Sequence, residues 1–226
     1  SCMRPSDLTR FKQKGQPIVV LTAWDSLSAA LAEAAGADVV LIGANDPEGM
    51  RRHTDECRFR GYPFAADPSQ QLARMDGDDI KPLIEGAEYL FTNEYEAALI
   101  EQKTGWTAAD LAAIVNVRII TLGPDGARIE RRGCDPVLVG VPEEESKADP
   151  TGVGDAFRAG FLAGQSWGLS DERSAQVGSL VATYVIETIG TQEYQLAQQH
   201  FLQRLATAYG DDAAAEINQH VSCPRP

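Results

Sequence analysis

Basic side chains are scarce in this chain: 20 Lys and Arg residues stand against 33 Asp and Glu residues, which gives a net charge of −13. A surface of this charge repels nucleic acids and anionic membranes, so neither is an expected partner. No apolar run approaches the ~20 residues that a membrane-spanning helix needs, and no secretory leader pattern opens the sequence. Both absences predict a protein of the cytoplasm.

Cysteine and histidine are also few and widely separated. The four cysteines are Cys2, Cys57, Cys134 and Cys223, and no CxxC pair occurs among them. This spacing predicts reduced thiols rather than a disulfide framework or a zinc site. The three histidines are scattered as well, and we expect them on the surface or in packing contacts rather than as metal ligands.

The chain is long enough, by contrast, to bury a core. Its 226 residues, of which 43% are hydrophobic, exclude a disordered chain and predict a single α/β domain over residues 1–226. In the first half, runs that are apolar on both faces alternate with helical patterns. This alternation is typical of a mostly parallel sheet with helices on both faces. The predicted strands span residues 17–22, 38–43, 62–66, 88–92 and 117–122.

Helix signals separate these strands. Asp46 caps and Pro47 opens a helix that runs toward residue 61, and Thr107 with Asp110 forms a capping box for a short helix. Gly123–Gly126 is a predicted turn. The remaining predicted elements are helices at 25–35, within 70–85 and from 94, a short antiparallel strand pair at 127–131 and 137–141, helices at 154–167 and 171–188, a helical region from 194 and a frayed tail from 221.

The stretch Asp149–Phe157 (DPTGVGDAF) contains the candidate catalytic and anion-binding residues of the sequence. Glycine permits the close backbone approach that an anion needs, so the amides of Gly152, Val153 and Gly154 at a helix N-terminus form a candidate anion hole. Asp155 follows at once and is the candidate base for an attacking hydroxyl. The glycine spacing alone leaves open a plain tight turn with a helix-capping acid.

The longer stretch Asp149–Phe161 (DPTGVGDAFRAGF) closely resembles the C-terminal signature of the ribokinase-like family of sugar and nucleoside kinases. The resemblance implies that Asp155 is the catalytic base and that the preceding amides form the anion hole. Asn93–Glu96 (NEYE) resembles the NxxE motif of the same family. That likeness implies a place for Asn93 and Glu96 in the magnesium and phosphate network, with Glu96 reaching the metal through water. Taken alone, the two residues suit a helix cap and a solvated helix position as well.

Thr121–Gly126 (TLGPDG) resembles the family segment beside ATP, which implies that Thr121, Gly123 and Gly126 bind the nucleotide. Three motifs in the family's order imply a ribokinase-like, Rossmann-like α/β fold. The resemblance also implies ATP at the carboxyl edge of the sheet, with Mg²⁺ bound to its phosphates. Stretches at 43–56, 65–74 and 190–194 narrow the resemblance to a bacterial adenosine kinase, over residues from about 41 to 226.

The segment Arg4–Gly43 resembles a different family, at the N-terminus of ketopantoate hydroxymethyltransferase. That family is a (β/α)₈ barrel that binds magnesium through an aspartate after its second strand. Here Gly43 is followed by Ala-Asn-Asp-Pro, and Asp46 before Pro47 is more typical of a helix cap than of a shifted metal ligand. Hydroxymethyl transfer is therefore not expected.

The two resemblances predict a chimera. Residues 4–43, a barrel-derived helix–strand–helix–strand graft, are joined to a ribokinase-like portion at residues 44–226. Both parents use right-handed βαβ units with apolar parallel strands, so such a join is physically reasonable. The sequence leaves open whether design, laboratory selection or nature made it.

The acceptor-gripping Gly-Gly segment and the lid of the kinase family are not found in the sequence, which contains no Gly-Gly pair. We therefore expect binding of a nucleotide, phosphate or sulfate with little or no phosphoryl transfer, because a kinase must hold two substrates in register. One alternative is an active ATP-dependent adenosine or sugar kinase with Asp155 as base, and another is a scaffold that binds nothing. Missing strands would leave a sheet edge open, so we also expect a homodimer or other self-association.

Overall fold

A computed structural model describes residues 19–22 and 37–221 of the chain. The chain divides into two compact units. The first contains residues 1–122 and 128–136, and the second contains residues 123–127 and 137–226. The prediction of one domain over the whole chain is not tested by this division and stays a prediction.

The first unit is built on a mostly parallel sheet. Its strands follow one another in chain order: β1 (Val19–Thr22), β2 (Ala37–Ile42), β3 (Phe64–Ala66), β4 (Tyr89–Asn93), β5 (Val117–Thr121) and β6 (Ala127–Arg131), whose first residue belongs to the second unit. Each neighbouring pair from β1 to β5 is parallel. The carboxyl ends of these five strands therefore meet at one edge. The predicted parallel sheet is confirmed, with strand limits displaced by a residue or two.

Helices connect these strands, and the predicted start signals are observed. The helices are α1 (Pro47–Arg60), α2 (Gly77–Ile84), α3 (Glu94–Thr104) and α4 (Ala108–Ile114), with a 3₁₀ turn at Ser69–Ala73. Asp46 Oδ2 accepts the Gly49 amide at 3.0 Å, so Asp46 is a helix cap, the alternative that the sequence favoured. Thr107 and Asp110 form the predicted capping box of α4. The amide and hydroxyl of Thr107 lower the pKa of the Asp110 carboxyl.

The core of the first unit lies between the sheet and these helices. It contains apolar side chains such as Phe64, Leu72, Ile84, Leu90 and Ile100. A charged side chain also belongs to the interior of this unit. Arg118 on β5 has a side chain that is 2% exposed, and it donates to Glu101 Oε1 at 2.8 Å and Glu130 Oε2 at 3.4 Å. Two carboxylates thus compensate the buried guanidinium.

The second unit is mostly helical. It contains β7 (Val137–Val139), α5 (Val153–Ser166), α6 (Asp171–Ile186), α7 (Gln198–Tyr209) and α8 (Asp211–Val221). Helices α5 and α6 touch through their backbones, since a Cβ on Gly160 would lie 2.7 Å from the Gly178 Cα. Leu180, Leu205 and Ile217 form part of the core of this unit. The predicted strand at 137–141 is two residues shorter, and the predicted helical region from 194 is two helices that meet at Gly210.

Some sequence-based predictions concern residues outside the described part of the chain. These are the helix at 25–35, Cys2, Cys223 and the tail beyond Val221. Of the other cysteines, Cys57 and Cys134 are free thiols, and burial raises the pKa of Cys57 to about 11. Among the helices of the described segments, none is long and apolar enough to cross a membrane. Within the same segments, no group of three or more His, Cys, Asp or Glu side chains could hold a metal ion.

Candidate functional site

The candidate anion hole is a sharp turn into helix α5. Gly152 precedes the helix with φ 82° and ψ 0°, in the left-handed region. A side chain there would be strained, and its Cβ would lie 2.8 Å from Thr191 Cγ2. Glycine is therefore required at this position for two separate reasons. The turn opens a 14-residue helix, whose first amides have no acceptor within the helix and where the positive end of the helix dipole favours an anion.

Asp149 stabilises the loop that leads into this turn. Its Oδ1 accepts the Thr151 amide at 2.9 Å. The pKa of the Asp149 carboxyl is lowered, first by the Thr151 hydroxyl and amide and then by the Gly190 amide. The Val153 amide donates a long hydrogen bond of 3.4 Å to the Pro150 carbonyl, so an incoming anion competes only with a weak partner.

Asp155 lies in the first turn of α5 with its side chain 84% exposed. Its Oδ1 is 3.2 Å from Arg158 Nη1. The same guanidinium lies beside Gly154, because a Cβ on that glycine would be 2.9 Å from Arg158 Nη1. The turn thus combines the amides of a helix start, an accessible carboxylate and a cation. Sequence analysis had not assigned Arg158 to the site, although its i, i+3 spacing from Asp155 places the two on one helix face.

Asn93 and Glu96 form a reciprocal cap at the start of α3. Asn93 Oδ1 accepts the Glu96 amide at 2.8 Å, and Glu96 Oε2 accepts the Asn93 amide at 2.8 Å. The capping role, one of the two roles considered from the sequence, is therefore present. It uses one oxygen of each side chain. A further role of the pair toward phosphate or metal is a prediction that this cap does not test.

Thr121 lies beside this cap at the carboxyl edge of the sheet. It is the register partner of Asn93, and its Oγ1 donates to the Thr92 carbonyl at 3.4 Å. The other two predicted nucleotide-binding residues, Gly123 and Gly126, belong to the second unit. Gly126 has φ 96°, and a Cβ there would lie 1.9 Å from the Val139 carbonyl oxygen. This glycine holds the turn against the backbone of β7.

Two residues at the edge of the first unit were missed by sequence analysis. Asp67 follows β3 and is 4% exposed, and its Oδ1 accepts the Ser69 hydroxyl at 2.6 Å. Ser69 has φ 43°, the left-handed value that non-glycine residues seldom adopt. Strained residues and buried carboxylates at the carboxyl edge of a parallel sheet often belong to ligand sites. The signal in the sequence was an Asp-Pro-Ser run directly after a strand.

The fold and these motifs define a family. The family model for pfkB carbohydrate kinases matches residues 10–198, and this chain belongs to that family. Its fold is the ribokinase-like α/β fold of the nucleoside kinases. The family match begins inside the segment Arg4–Gly43, so it includes most of the residues that resemble the hydroxymethyltransferase.

Known nucleoside kinases resemble most of the chain. The Burkholderia thailandensis nucleoside kinase, solved with inosine, is 35% identical with a TM-score of 0.75, covering 81% of this chain and 62% of that one. The same enzyme has been solved in complex with ADP-inosine. The Methanocaldococcus jannaschii nucleoside kinase is 27% identical over 158 residues, which are 69% of this chain and 51% of that protein. This chain therefore spans between half and two thirds of the kinases it matches.

The N-terminal region resembles another enzyme. A stretch of 41 residues, 18% of this chain, is 95% identical to 3-methyl-2-oxobutanoate hydroxymethyltransferase, also called ketopantoate hydroxymethyltransferase, from Synechococcus sp. (strain CC9605). It covers 15% of that protein. The short, nearly identical match beside a kinase-family match is consistent with a chimera.

Proposed function

We propose that this chain binds the phosphate groups of a nucleotide at the N-terminus of α5, and that the 226 residues transfer phosphoryl groups slowly or not at all. The observation that carries the proposal is the turn at Gly152, which leads into a long helix with Asp155 exposed in its first turn. Such a helix start supplies fixed donors and a favourable dipole for phosphate oxygens. The anion-hole amides are those of Gly152, Val153 and Gly154.

ATP is the nucleotide that we assign to this site, and a nucleoside is the acceptor class. The assignment draws on membership in the pfkB family and on a relative solved in complex with ADP-inosine. Thr121, Gly123 and Gly126 are proposed to contact the nucleotide. Glu96 binds a backbone amide through Oε2, and we propose that it reaches a magnesium ion through a bound water. Magnesium usually keeps several waters in nucleotide sites, and there it would neutralise phosphate charge.

We expect slow phosphoryl transfer because the chain would hold the acceptor poorly. The chain contains no Gly-Gly pair for an acceptor grip, and its first residues resemble a hydroxymethyltransferase. Holding two reactants in register supplies about 7–11 kcal/mol of a barrier, so a poorly held acceptor removes most of the rate. We accordingly propose residues 4–43 as the graft and residues 44–226 as the kinase-derived portion.

An active nucleoside kinase is the second candidate. The observation in its favour is the accessibility of Asp155, whose carboxylate faces solvent beside the candidate anion hole. An acceptor hydroxyl that reaches this carboxylate within hydrogen-bonding distance would lose its proton to it as it attacks. Release of ADP from ATP in the presence of adenosine separates this candidate from binding alone.

The binding proposal is tested by replacing Gly154 with a branched residue. At an ADP concentration 100 times the Kd, the wild-type chain is expected to gain about 2.7 kcal/mol of unfolding free energy. Gly154→Val is expected to remove most of this gain, because its Cβ would lie 2.9 Å from Arg158 Nη1 and so displace this cation, and the branched side chain would crowd the helix start. Thermal unfolding with and without ADP measures both values.

The matched control is Ala159→Val, an equally branched substitution at an exposed position of the same helix. It should keep the full stabilisation by ADP. If the wild-type chain gains nothing from ADP at millimolar concentration, the chain is a scaffold that binds no nucleotide. If Gly154→Val is stabilised as much as wild type, ADP binds elsewhere.

Self-association through the sheet edge completes the proposal. Strand β1 is the outermost of the described strands at one end of the sheet. Outer strands present backbone donors and acceptors that another chain can pair with. We expect light scattering to give a mass above 24.4 kDa that rises with protein concentration. A constant monomer mass at high concentration contradicts this expectation.

A further inference from the structure

The segment that leads into the candidate anion hole, residues 143–152, is held by the end of helix α6. The Ile186 carbonyl, at the last residue of that helix, accepts the amides of both Ala148 at 2.8 Å and Asp149 at 3.2 Å. The next residue, Glu187, accepts the Glu145 amide with its Oε1 at 2.8 Å. Three amides of one loop therefore bind two adjacent residues of one helix end.

Arg204 on α7 orients the Glu187 carboxylate. Its Nη1 donates to Glu187 Oε2 and its Nη2 to Glu187 Oε1, each at 2.7 Å. The same Nη2 donates to the Glu143 carbonyl at 2.9 Å, and the guanidinium lies 4.8 Å from the centre of the Tyr184 ring. The Arg204 and Glu187 side chains are only 10% and 11% exposed. Because two guanidinium nitrogens bond to the two carboxylate oxygens and both side chains are shielded from solvent, the pair is held in a single geometry.

The position of Glu187 is electrostatically unfavourable without its partners. A carboxylate at the C-terminus of a helix faces the negative end of the helix dipole. Burial raises the pKa of the Glu187 carboxyl, but the hydrogen bonds from Arg204 and from the Glu145 amide outweigh burial, and the net pKa lies below its usual range. The carboxylate is thus charged at neutral pH, and the pair is lost only as the pH falls through this lowered pKa.

We propose that Glu187, oriented by Arg204, is a positioning residue of the phosphate site: it fixes the path of residues 143–152 into the turn at Gly152. This inference rests on the proposed function, since it concerns the same anion hole. Glu187 touches no ligand in this role. It acts through the loop, in which Asp149 then holds the Thr151 amide one residue before the turn. Small displacements of an oriented group have large effects on binding and rate.

The test compares Glu187→Gln with wild type in two measurements at neutral pH. Glutamine keeps the size of the side chain and loses the ion pair with Arg204. Amide hydrogen exchange without ligand is expected to become about tenfold faster at Glu145, Ala148 and Asp149, the three amides bound to the helix end. The affinity for ADP, measured by calorimetry, is expected to fall about tenfold, while exchange within α5 and α6 is unchanged.

The matched control is Glu216→Gln. Glu216 on α8 pairs with Arg173 of α6 at 2.9 Å, so this substitution also removes one ion pair between two helices of the same unit. This control should change neither the exchange of the loop amides nor the affinity for ADP. Arg204→Lys is a second variant, which keeps the charge and loses the two-pronged contact, and a smaller effect in the same direction is expected.

Three results would overturn the proposal. One is faster exchange at all amides alike in both variants, which is the signature of a merely structural ion pair. Another is unchanged exchange of the loop amides. The third is faster loop exchange with unaltered ADP affinity, which would separate the loop from the site. A wild-type chain that binds no ADP refutes the proposed function instead, whatever the exchange of the loop shows.

Discussion

The Asp155→Asn variant is expected to lose about 10²–10⁴-fold of the phosphoryl transfer that the wild-type chain supports, which is the usual effect of removing a general base. Asparagine has nearly the same size but cannot accept the proton of an attacking hydroxyl. The fold should not change, because the exposed pair with Arg158 contributes little to stability. ADP should bind at least as tightly, since a negative charge beside the anion hole is removed.

Two measurements check this expectation: ADP release from ATP and adenosine, and calorimetric titration with ADP. Glu172→Gln is the control, since Glu172 is an exposed acid in the first turn of a different helix, α6. It should leave both quantities unchanged. Equal transfer by wild type and Asp155→Asn would show that Asp155 is not the base. Loss of ADP binding in the same variant would show that Asp155 maintains the shape of the binding site rather than accepting a proton.

Gly126→Ala should produce the largest loss of stability. A left-handed backbone with a side chain costs about 1–2 kcal/mol, and overpacking adds about 1–3 kcal/mol. At Gly126 both effects apply, because φ is 96° and the new Cβ would lie 1.9 Å from the Val139 carbonyl oxygen. We expect a loss of about 4 kcal/mol in the free energy of unfolding by urea, close to the sum of the two.

Gly133→Ala separates the two contributions. Gly133 has φ 75°, but nothing lies within 4 Å of a Cβ placed there. Its substitution should therefore show only the backbone strain, about 1–2 kcal/mol. If both variants lose the same amount, the contact between Gly126 and β7 has no energetic weight. A proportionate loss of ADP stabilisation in Gly126→Ala would further tie this turn to the nucleotide.

Local signals in the sequence predicted the elements well because their causes are local. Helix α1 begins and ends where Asp46, Pro47 and Gly61 dictate, since a cap, a fixed φ and a left-handed glycine act within one turn. The parallel sheet follows from strands that are apolar on both faces, which only a helix-covered sheet can bury. Membership in the kinase family then confirmed the architecture that three short motifs had implied.

Contacts between residues that are far apart in the sequence could not be predicted from local patterns. Glu187 binds an amide 42 residues away, and nothing in the sequence around Glu187 indicates which loop its carboxylate would hold. Likewise, nothing in the strand VRIIT indicates that its arginine, Arg118, pairs with Glu101 and Glu130. Of the candidate site, the sequence could predict the turn and the acid at its end. The cation Arg158 and the strained Ser69 needed three-dimensional placement.

The reciprocal cap between Asn93 and Glu96 couples the two side chains energetically. Each side chain completes the hydrogen bonding of the other residue's amide. Replacing either one would leave a backbone amide at the start of α3 without its acceptor, at a cost of about 1 kcal/mol. If Glu96 bound a hydrated cation, as proposed, any loss of its contact with the Asn93 amide would reduce the affinity by this amount.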